Sequence, residues 1–252
     1  MRRHDPDRYF AALFAPEHPR RFLFALYALN VELARVGETV REAMLADIRL
    51  AWWRETVEEA RAGQPRSHAV ARALAEVFVA VALPPEFFTR MIAARTFDAG
   101  PERFADLAAL EEYAAATAGT LMQLAARALG EPVDEAALQA GVAVALCGIL
   151  RSLKFHAARG KLYLPDDLLR EVRLLPEEVL AGRGGAKLAA VKARLAARAR
   201  EYLSKARAMT RPQASLPAFL PAALVPLYLK RDDPPLWRRQ LALLVAAWRG
   251  RI

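Results

Sequence analysis

The side chains with most potential for chemistry lie close together in residues 141–165, GVAVALCGILRSLKFHAARGKLYLP. Its charged groups, Arg151 and Lys161 among them, are all basic, and it contains no Asp or Glu. A hard cation such as Mg²⁺ takes oxygen ligands and is usually held by carboxylates. This segment alone therefore offers Mg²⁺ no carboxylate ligand, and whether the chain catalyses a reaction depends on acids placed elsewhere.

Glu38 and Glu42 are spaced so that two carboxylates could act together, because residues four apart share one face of a helix. Arg35 and Arg41 lie within three residues of Glu38. Such mixed charge is typical of a solvated, salt-bridging surface. We favour the solvated surface, and a pair of metal ligands stays open as the alternative.

His156 and Cys147 are the remaining reactive side chains of the segment. His156 stands between Phe155 and two alanines, and no partner that could position it for acid–base catalysis can be identified. We expect it to be a hydrogen-bonded residue of the interior or its rim. Cys147 is the only cysteine, which excludes an internal disulfide and suits a reducing cytoplasm.

Helices must position these residues, because the 252-residue chain is 55% hydrophobic and rich in strong helix formers such as Ala, Leu, Arg and Glu. Short Pro, Gly and Asp punctuation separates the periodic segments. An all-α fold is predicted, and no linker divides the chain, so a single domain over residues 1–252 is expected. Helices are predicted over about 20–41, 45–62, 68–81, 86–96, 106–130, 134–160 and 186–209, with a last one through Trp237 and Trp248.

The net charge of +9 should draw the protein to anions such as diphosphates, lipid headgroups or an acidic partner. No compact basic block with interleaved aromatics occurs, so nucleic-acid binding is not expected. The apolar runs 136–150 and 216–229 are shorter than the roughly 18 residues that span a bilayer. We expect a cytoplasmic protein with at most a peripheral contact with the inner membrane.

Five segments, in chain order, together resemble the squalene/phytoene synthase family. They are LYALNVELARV at 26–36, WWR at 52–54, YAAATAG at 113–119, ILR at 149–151 and GKLYLP at 160–165. The resemblance implies the isoprenoid (terpenoid) synthase fold, a single helical domain around a central cavity. It also implies the head-to-head joining of two prenyl diphosphates, in which Mg²⁺ ions held by Asp-rich motifs on two facing helices neutralise the leaving diphosphate.

Neither Asp-rich motif of the family is intact in this sequence. The second motif falls on Ser152, Phe155 and His156, none of which is a carboxylate. The first falls on Ala34, Arg35 and Glu38 in one register and on Glu38, Thr39 and Glu42 in the other. We therefore predict no metal site and no cofactor, with Mg²⁺ required only if the chain is an active enzyme.

Three family positions that contact diphosphate or line the cavity persist as Arg151, Lys161 and Tyr163. The resemblance makes them candidates for binding a diphosphate or prenyl ligand. The alternative is structural, since GKLYLP would also close a helix and dock a loop onto the core. Asp98, in ARTFDAG, matches a family aspartate, and a helix-end hydrogen bond is expected for it.

The segments ALNVELARVGETV and LVPLYL look most similar to the aspartate-poor branch of the family, which includes the mitochondrial respiratory complex I assembly factor. This implies a non-catalytic assembly or scaffold factor, with complex I subunits or assembly intermediates as partners. Two alternatives stay open. One is an active prenyl transferase whose metal ligands have moved to Glu32, Glu38, Glu42 or Asp98, and the other is a non-catalytic protein that binds a prenyl or lipid ligand.

Overall fold

Helices are the only regular elements in the computed structural model, which describes residues 1–40, 42–209, 211–231 and 233–252. The all-α prediction is confirmed. The helices are α1 Pro6–Ala12, α2 Glu17–Thr39, α3 Ala43–Arg61, α4 Ala69–Ala80, α5 Pro85–Ala94, α6 Thr96–Ala99, α7 Leu107–Ala114, α8 Thr120–Ala128, α9 Asp134–Ala157, α10 Asp166–Glu171, α11 Pro176–Leu180, α12 Gly185–Met209, α13 Leu216–Ala223, α14 Val225–Tyr228 and α15 Leu236–Arg249. A π-helical segment, Ala115–Gly119, joins α7 to α8.

Helix α9 lies at the centre of the packing and contacts α12, the π-helical segment, α8 and α13. Its 24 residues are long and apolar enough to cross a membrane, and the helix is longer than the uninterrupted apolar run 136–150 in the sequence. However, 56% of its most apolar 18-residue stretch is buried inside the protein. Its apolar residues therefore form the core against which the other helices pack.

Helix α2 turns an apolar stripe towards this core, where Leu26, Leu29, Leu33 and Val36 are buried. Their spacing of three and four residues matches the helical repeat, so one face of α2 is removed from water. The single cluster of buried residues extends in sequence from Ala11 to Ala246. One domain over residues 1–252 stays our prediction for the chain.

The predicted pairing of Glu38 with Glu42 on one helix face is wrong. Helix α2 ends at Thr39, and Glu42 precedes α3 in an extended conformation, so the two residues belong to different elements. No Pro or Gly lies between Thr39 and Glu42, and the nearest glycine, Gly37, lies inside the last turn of α2. The helix ends where Val40 turns to extended backbone. Arg41, counted above as a neighbour of Glu38, lies outside the described residues.

Two other local predictions also change. The helix predicted over 106–130 is continuous from residue 107 to residue 128, but its middle, residues 115–119, is π-helical and not α-helical. A π-helical turn contains one more residue than an α-helical turn. The helix predicted over 134–160 begins at Asp134 but ends at Ala157, and Val133 occupies its N-cap position. The Asp134 carboxylate accepts a hydrogen bond from Arg127 Nε at 2.8 Å, which ties α9 to α8.

Two glycines of α9 have opposite surroundings. A methyl group at Gly141 would lie 2.5 Å from the carbonyl oxygen of Ala118 and from Cα of Gly119, so α9 and the π-helical segment touch backbone to backbone. A methyl group at Gly148 would meet no atom within 4 Å. Gly141 is therefore required for packing, whereas Gly148 leaves space beside the helix.

We predict that Gly148→Ala raises the free energy of unfolding by about 0.5–1 kcal/mol, because alanine loses less backbone entropy in a helix. Gly141→Ala is the matched control on the same helix and should lower it by about 1–3 kcal/mol through overpacking. Urea unfolding followed by circular dichroism measures both. Equal effects of the two substitutions would contradict the packing described here.

Candidate functional site

A cavity of about 990 Å³ opens between α2, α6, the π-helical segment and α9. Helix α2 contributes Asn30, Ala34 and Glu38, which are four residues apart and so lie on one face beside the buried stripe. The N-terminal residues and the loop after α9 complete the wall. Among the predicted site residues, Glu38, Asp98, Ser152, His156, Lys161 and Tyr163 line this cavity.

The close approach of α2 to α6 places Asp98 in the cavity wall. A methyl group at Gly37 would lie 2.6 Å from Cβ of Asp98, so only glycine allows the two helices to come this near. Asp98 is 9% exposed. Burial of a carboxylate at this depth requires hydrogen-bond donors to replace water.

Three side chains supply these donors. The Tyr113 and Tyr163 hydroxyls donate to Oδ1 of Asp98 at 2.6 and 2.8 Å, and Arg95 Nη1 donates to Oδ2 at 3.1 Å. Arg95 Nη2 also donates to Oδ1 of Asn30 on α2 at 3.0 Å. The helix-end hydrogen bond expected for Asp98 is thus replaced by a network that joins α2, α6, α7 and the loop after α9.

Burial raises the pKa of both tyrosine hydroxyls above their usual range, and the neighbouring Asp98 charge raises the pKa values further. Both tyrosines therefore stay protonated near neutral pH and remain donors. Asp98 consequently receives two hydroxyl hydrogen bonds and one ionic hydrogen bond. Three hydrogen bonds from the protein therefore fall on this carboxylate, two on Oδ1 and one on Oδ2.

Lys161, a predicted ligand-binding residue, is also engaged by the protein. Its Nζ donates to the backbone carbonyl oxygens of Phe97, Gly100 and Glu102 at 2.6, 2.7 and 3.3 Å. An ammonium has three hydrogen-bond donors, and these carbonyls occupy all three. Burial lowers the pKa of Lys161, although Asp98 opposes the change. Lys161 fastens the loop after α9 to the end of α6.

Arg151, the other basic candidate, does not line the large cavity. Its guanidinium lies 3.5 Å above the ring of Tyr228 and 3.7 Å from Oδ2 of Asp7. These residues line a separate cavity of about 210 Å³, which also contains Cys147. The structure therefore brings Lys161 and Tyr163 together and leaves Arg151 apart.

The residues at the second motif diverge in position. Ser152 and His156 line the large cavity, whereas Phe155 is 42% exposed, with the guanidinium of Arg159 3.6 Å above its ring. Ser152 Oγ donates to the carbonyl oxygen of Gly148 at 2.8 Å. The His156 ring packs against Tyr163 at 4.7 Å between centroids. Burial lowers the pKa of His156, and the Asp98 charge only partly offsets this.

The residues at the first motif are mostly outside the cavity. Arg35 is exposed and lies 3.9 Å from Glu32, as expected for a solvated helix face. Thr39 donates to the carbonyl oxygen of Arg35 at 2.7 Å. Glu42 is exposed beside α3. Of the acidic residues at the first motif, only Glu38 lines the cavity. No described residue forms an ion pair with its carboxylate.

The residues present do not fit Mg²⁺. Across residues 1–40, 42–209, 211–231 and 233–252, no three His, Cys, Asp or Glu side chains lie close enough to hold a metal ion. The acids that line the cavity are Glu38 and Asp98, and Asp98 is already hydrogen-bonded to three donors. Mg²⁺ requires several oxygen ligands in octahedral geometry, and one free carboxylate does not supply them.

Sequence reasoning missed several basic side chains at this cavity. His4 and Arg8 enter it from the N-terminal segment, and Arg159 enters from the end of α9. Arg8 is paired with Asp5 at 2.6 Å, whereas Arg159 has no carboxylate partner among the described residues. The sequence contains one local indication of the hydrogen-bond network around Asp98, because Arg95 and Asp98 are three residues apart and such a pair can form an ion pair. Arg8, Arg95, Arg159 and Lys161 thus line the cavity against two acids, Glu38 and Asp98, so the lining as a whole carries a net positive charge.

A helical protein whose central cavity is enclosed by two long helices and a buried polar network matches the architecture of isoprenoid synthases. The chain belongs to the squalene/phytoene synthase family, whose model matches residues 1–232. Its structure superposes on a ligand-bound dehydrosqualene synthase with a TM-score of 0.82 at 18% identity, covering 98% of this chain and 92% of the other. The predicted family and fold are therefore confirmed.

Two relatives illustrate what the sequence is similar to. NADH dehydrogenase (ubiquinone) complex I, assembly factor 6, from Mus musculus is 28% identical over 268 residues, which cover 100% of this chain and 80% of the mouse protein. A phytoene synthase from Thermus thermophilus is 30% identical over 204 residues, which cover 79% of this chain and 68% of that enzyme. The chain thus resembles both assembly factors and synthases of the family.

We predict that Asp98→Ala lowers the free energy of unfolding by about 3–5 kcal/mol, because it leaves the buried Arg95 charge without its counter-ion. Glu38→Ala removes the other cavity acid and should change stability by less than about 0.5 kcal/mol, since Glu38 is exposed and unpaired. Chemical unfolding of the two variants measures the difference. A small effect of Asp98→Ala would show that the network contributes little.

The lowered pKa of His156 predicts a pH dependence of stability. The unfolded chain takes up a proton near the ordinary histidine pKa of about 6.5, and the folded protein takes it up only at lower pH. The stabilisation is therefore complete above that pH and is lost as pH falls towards the folded pKa. In His156→Gln, stability measured by urea unfolding should decline less between about pH 7.5 and 5.5. Identical slopes in both proteins would contradict the assignment.

Proposed function

We propose that this chain is a non-catalytic member of its family that acts as an assembly or scaffold factor for respiratory complex I. Its partners would be complex I subunits or assembly intermediates. The observation that carries the proposal is the shortage of acids in the cavity lining. Among its described residues they are Glu38 and Asp98 alone, and Asp98 already accepts hydrogen bonds from Tyr113, Tyr163 and Arg95.

The chemistry of the family supports the loss of catalysis. Ionisation of a prenyl diphosphate separates a carbocation from a highly charged leaving group, and Mg²⁺ neutralises that charge. In this chain Ser152 and His156 stand at the cavity wall in place of acids, and Phe155 points outward. Only Glu38 remains as a free carboxylate there, which is too few oxygen ligands for the metal.

The comparison with relatives supports the assembly role. The similarity to the mouse complex I assembly factor 6 extends over all of this chain, and a homologous factor from Dictyostelium discoideum is 25% identical over 90% of it. The similarity to the phytoene synthase covers a smaller part of the chain. Because the matches to the assembly factors cover more of this chain than the match to the phytoene synthase, they favour the assembly role.

Binding of a prenyl anion without metal is a second candidate, favoured by the cavity itself. Its volume of about 990 Å³ is large enough for a ligand of drug size or more, and Arg159 offers it an unpaired positive charge. A bound prenyl diphosphate would then be held and not converted. This role is compatible with scaffolding, because a ligand that binds only the folded protein stabilises it.

The proposed function predicts that deletion of the gene lowers the amount of assembled complex I, measured by native gel electrophoresis and NADH-dependent quinone reduction. Re-expression of either the wild type or Glu38→Ala should restore assembly, since Glu38 is not needed for scaffolding. Asp98→Ala, which weakens the fold, serves as the non-complementing comparison. Normal complex I in the deletion strain would refute the assembly role.

A second experiment addresses catalysis directly. Purified protein incubated with Mg²⁺ and farnesyl or geranylgeranyl diphosphate should release no more diphosphate than a protein-free blank, with an active dehydrosqualene synthase as positive control. Turnover that depends on Mg²⁺ and disappears in Glu38→Ala would instead establish an active prenyl transferase. Thermal shift with the same diphosphate, with and without Mg²⁺, tests metal-free binding and should be lost in Arg159→Gln.

A further inference from the structure

Helix α15 presents an apolar stripe to solvent. Trp237, Leu241, Leu244 and Trp248 are 58%, 51%, 55% and 84% exposed. At about 100° of rotation per residue, these four side chains lie within about 60° of the helix circumference. A face of this kind, with two indoles and two leucines, is costly to leave in water.

The opposite face of α15 is fixed to the protein, so the stripe cannot turn inward. Leu243 and Ala246 are buried against the core. Arg239 Nη1 lies 2.9 Å from Oδ1 of Asp7 and donates to the Tyr228 hydroxyl at 3.2 Å. The helix is therefore held in one rotational setting with its apolar stripe outward.

Arginines border one side of the stripe. A groove of about 800 Å³ between α15 and the end of α12 is lined by five of them, and no Asp or Glu is among its described lining residues. They are Arg207, Arg211, Arg238, Arg249 and Arg251. Arg238 lies 5.0 Å from the ring centroid of Trp237, and Arg207 Nε donates to the carbonyl oxygen of Ile252 at 2.9 Å. The charged side chains among the described lining residues of the groove are therefore all positive.

We propose that α15 binds the surface of a membrane that contains anionic lipids, lying in the plane of the interface. The stripe would enter the boundary between headgroups and acyl chains, where indole rings are favoured, and the arginines would contact lipid phosphates. The 14 residues of α15 extend over about 21 Å, enough for both tryptophans to reach the interface at once. This inference goes beyond the proposed function and does not depend on it.

The arrangement of charge favours a membrane over other occupants. A second copy packed stripe to stripe would bring two sets of five arginines together without counter-charge. A nucleic acid offers phosphates but no apolar phase for Leu241 and Leu244. An anionic bilayer supplies both the phosphates and the apolar phase, and it requires no shape complementarity beyond a flat surface.

Co-sedimentation with vesicles tests the proposal, with phosphatidylcholine alone compared to an equal mixture with phosphatidylglycerol. The wild type should bind the anionic vesicles more than about tenfold more tightly, because several arginines contribute. Leu244→Glu should lower that binding by at least about tenfold, since it places a charge in the apolar stripe. Val79→Glu is the matched control, an exposed apolar residue of α4, 88% exposed, with the same change of charge.

The arginines are tested separately. Arg249→Gln and Arg251→Gln should each weaken binding to anionic vesicles about fivefold at low salt and leave binding to neutral vesicles unchanged. Arg183→Gln is the control, because Arg183 is exposed but lies far from the groove. It precedes the first turn of α12, and the opposite end of this helix, about 37 Å away, borders the groove. Circular dichroism confirms that each exposed-site variant is folded.

Tryptophan fluorescence reports the contact itself. Anionic vesicles should shift the emission of the wild type to shorter wavelength, and the shift should be smaller in Trp237→Phe and Trp248→Phe than in Trp52→Phe. Failure to bind anionic vesicles, or equal binding to both vesicle types, overturns the proposal. So does a dimer, seen by light scattering, that Leu244→Glu dissociates, or tighter binding to duplex DNA than to vesicles.

Discussion

A buried carboxylate must exchange the hydrogen bonds of water for those of the protein, and Asp98 meets this requirement with donors from three parts of the chain. Arg95 follows α5, Tyr113 belongs to α7 and Tyr163 lies in the loop after α9. Because Gly37 lets α2 touch the same residue, the cavity wall is organised around one charge. The position of Lys161 follows from it, since that residue joins the loop to α6.

The same network determines the chemistry that the cavity can support. A carboxylate that neutralises a guanidinium and accepts hydrogen bonds from two hydroxyls is a structural anion, and these donors compete with a hard cation for its oxygens. Two charges are left over, the basic Arg159 and the acidic Glu38. With four Arg and Lys side chains against two acids, the cavity lining carries a net positive charge that favours anions.

A second polar network, centred on Asp7, has a comparable role at the other side of α9. Arg239 and the Tyr228 hydroxyl bind the Asp7 carboxylate, and Arg151 lies beside it. This network orients α15, and hence determines which residues of that helix meet solvent. In both networks a single buried or half-buried acid orients several helices. The free-energy cost of leaving such a charge unpaired exceeds the entropy cost of fixing the side chains that bind it.

The sequence by itself determined the helical class and the apolar periodicity of α2, because both depend on residue type and local spacing. The resemblance to the family implied that Ser152, Phe155 and His156 stand where the second motif has acids, and the sequence shows that none of the three is a carboxylate. The sequence did not reveal that α2 stops before Glu42, since no Pro or Gly lies between Thr39 and Glu42. Only the tertiary structure decided what Lys161, Tyr163 and Arg151 do. The partners of Lys161 and Tyr163 lie 59 to 65 residues away, and that of Arg151 lies in the first helix, so their contacts arise from packing that no local pattern encodes. Charge and residue type can be read along the chain, whereas the saturation of a donor or acceptor depends on which distant groups the fold brings within hydrogen-bonding distance.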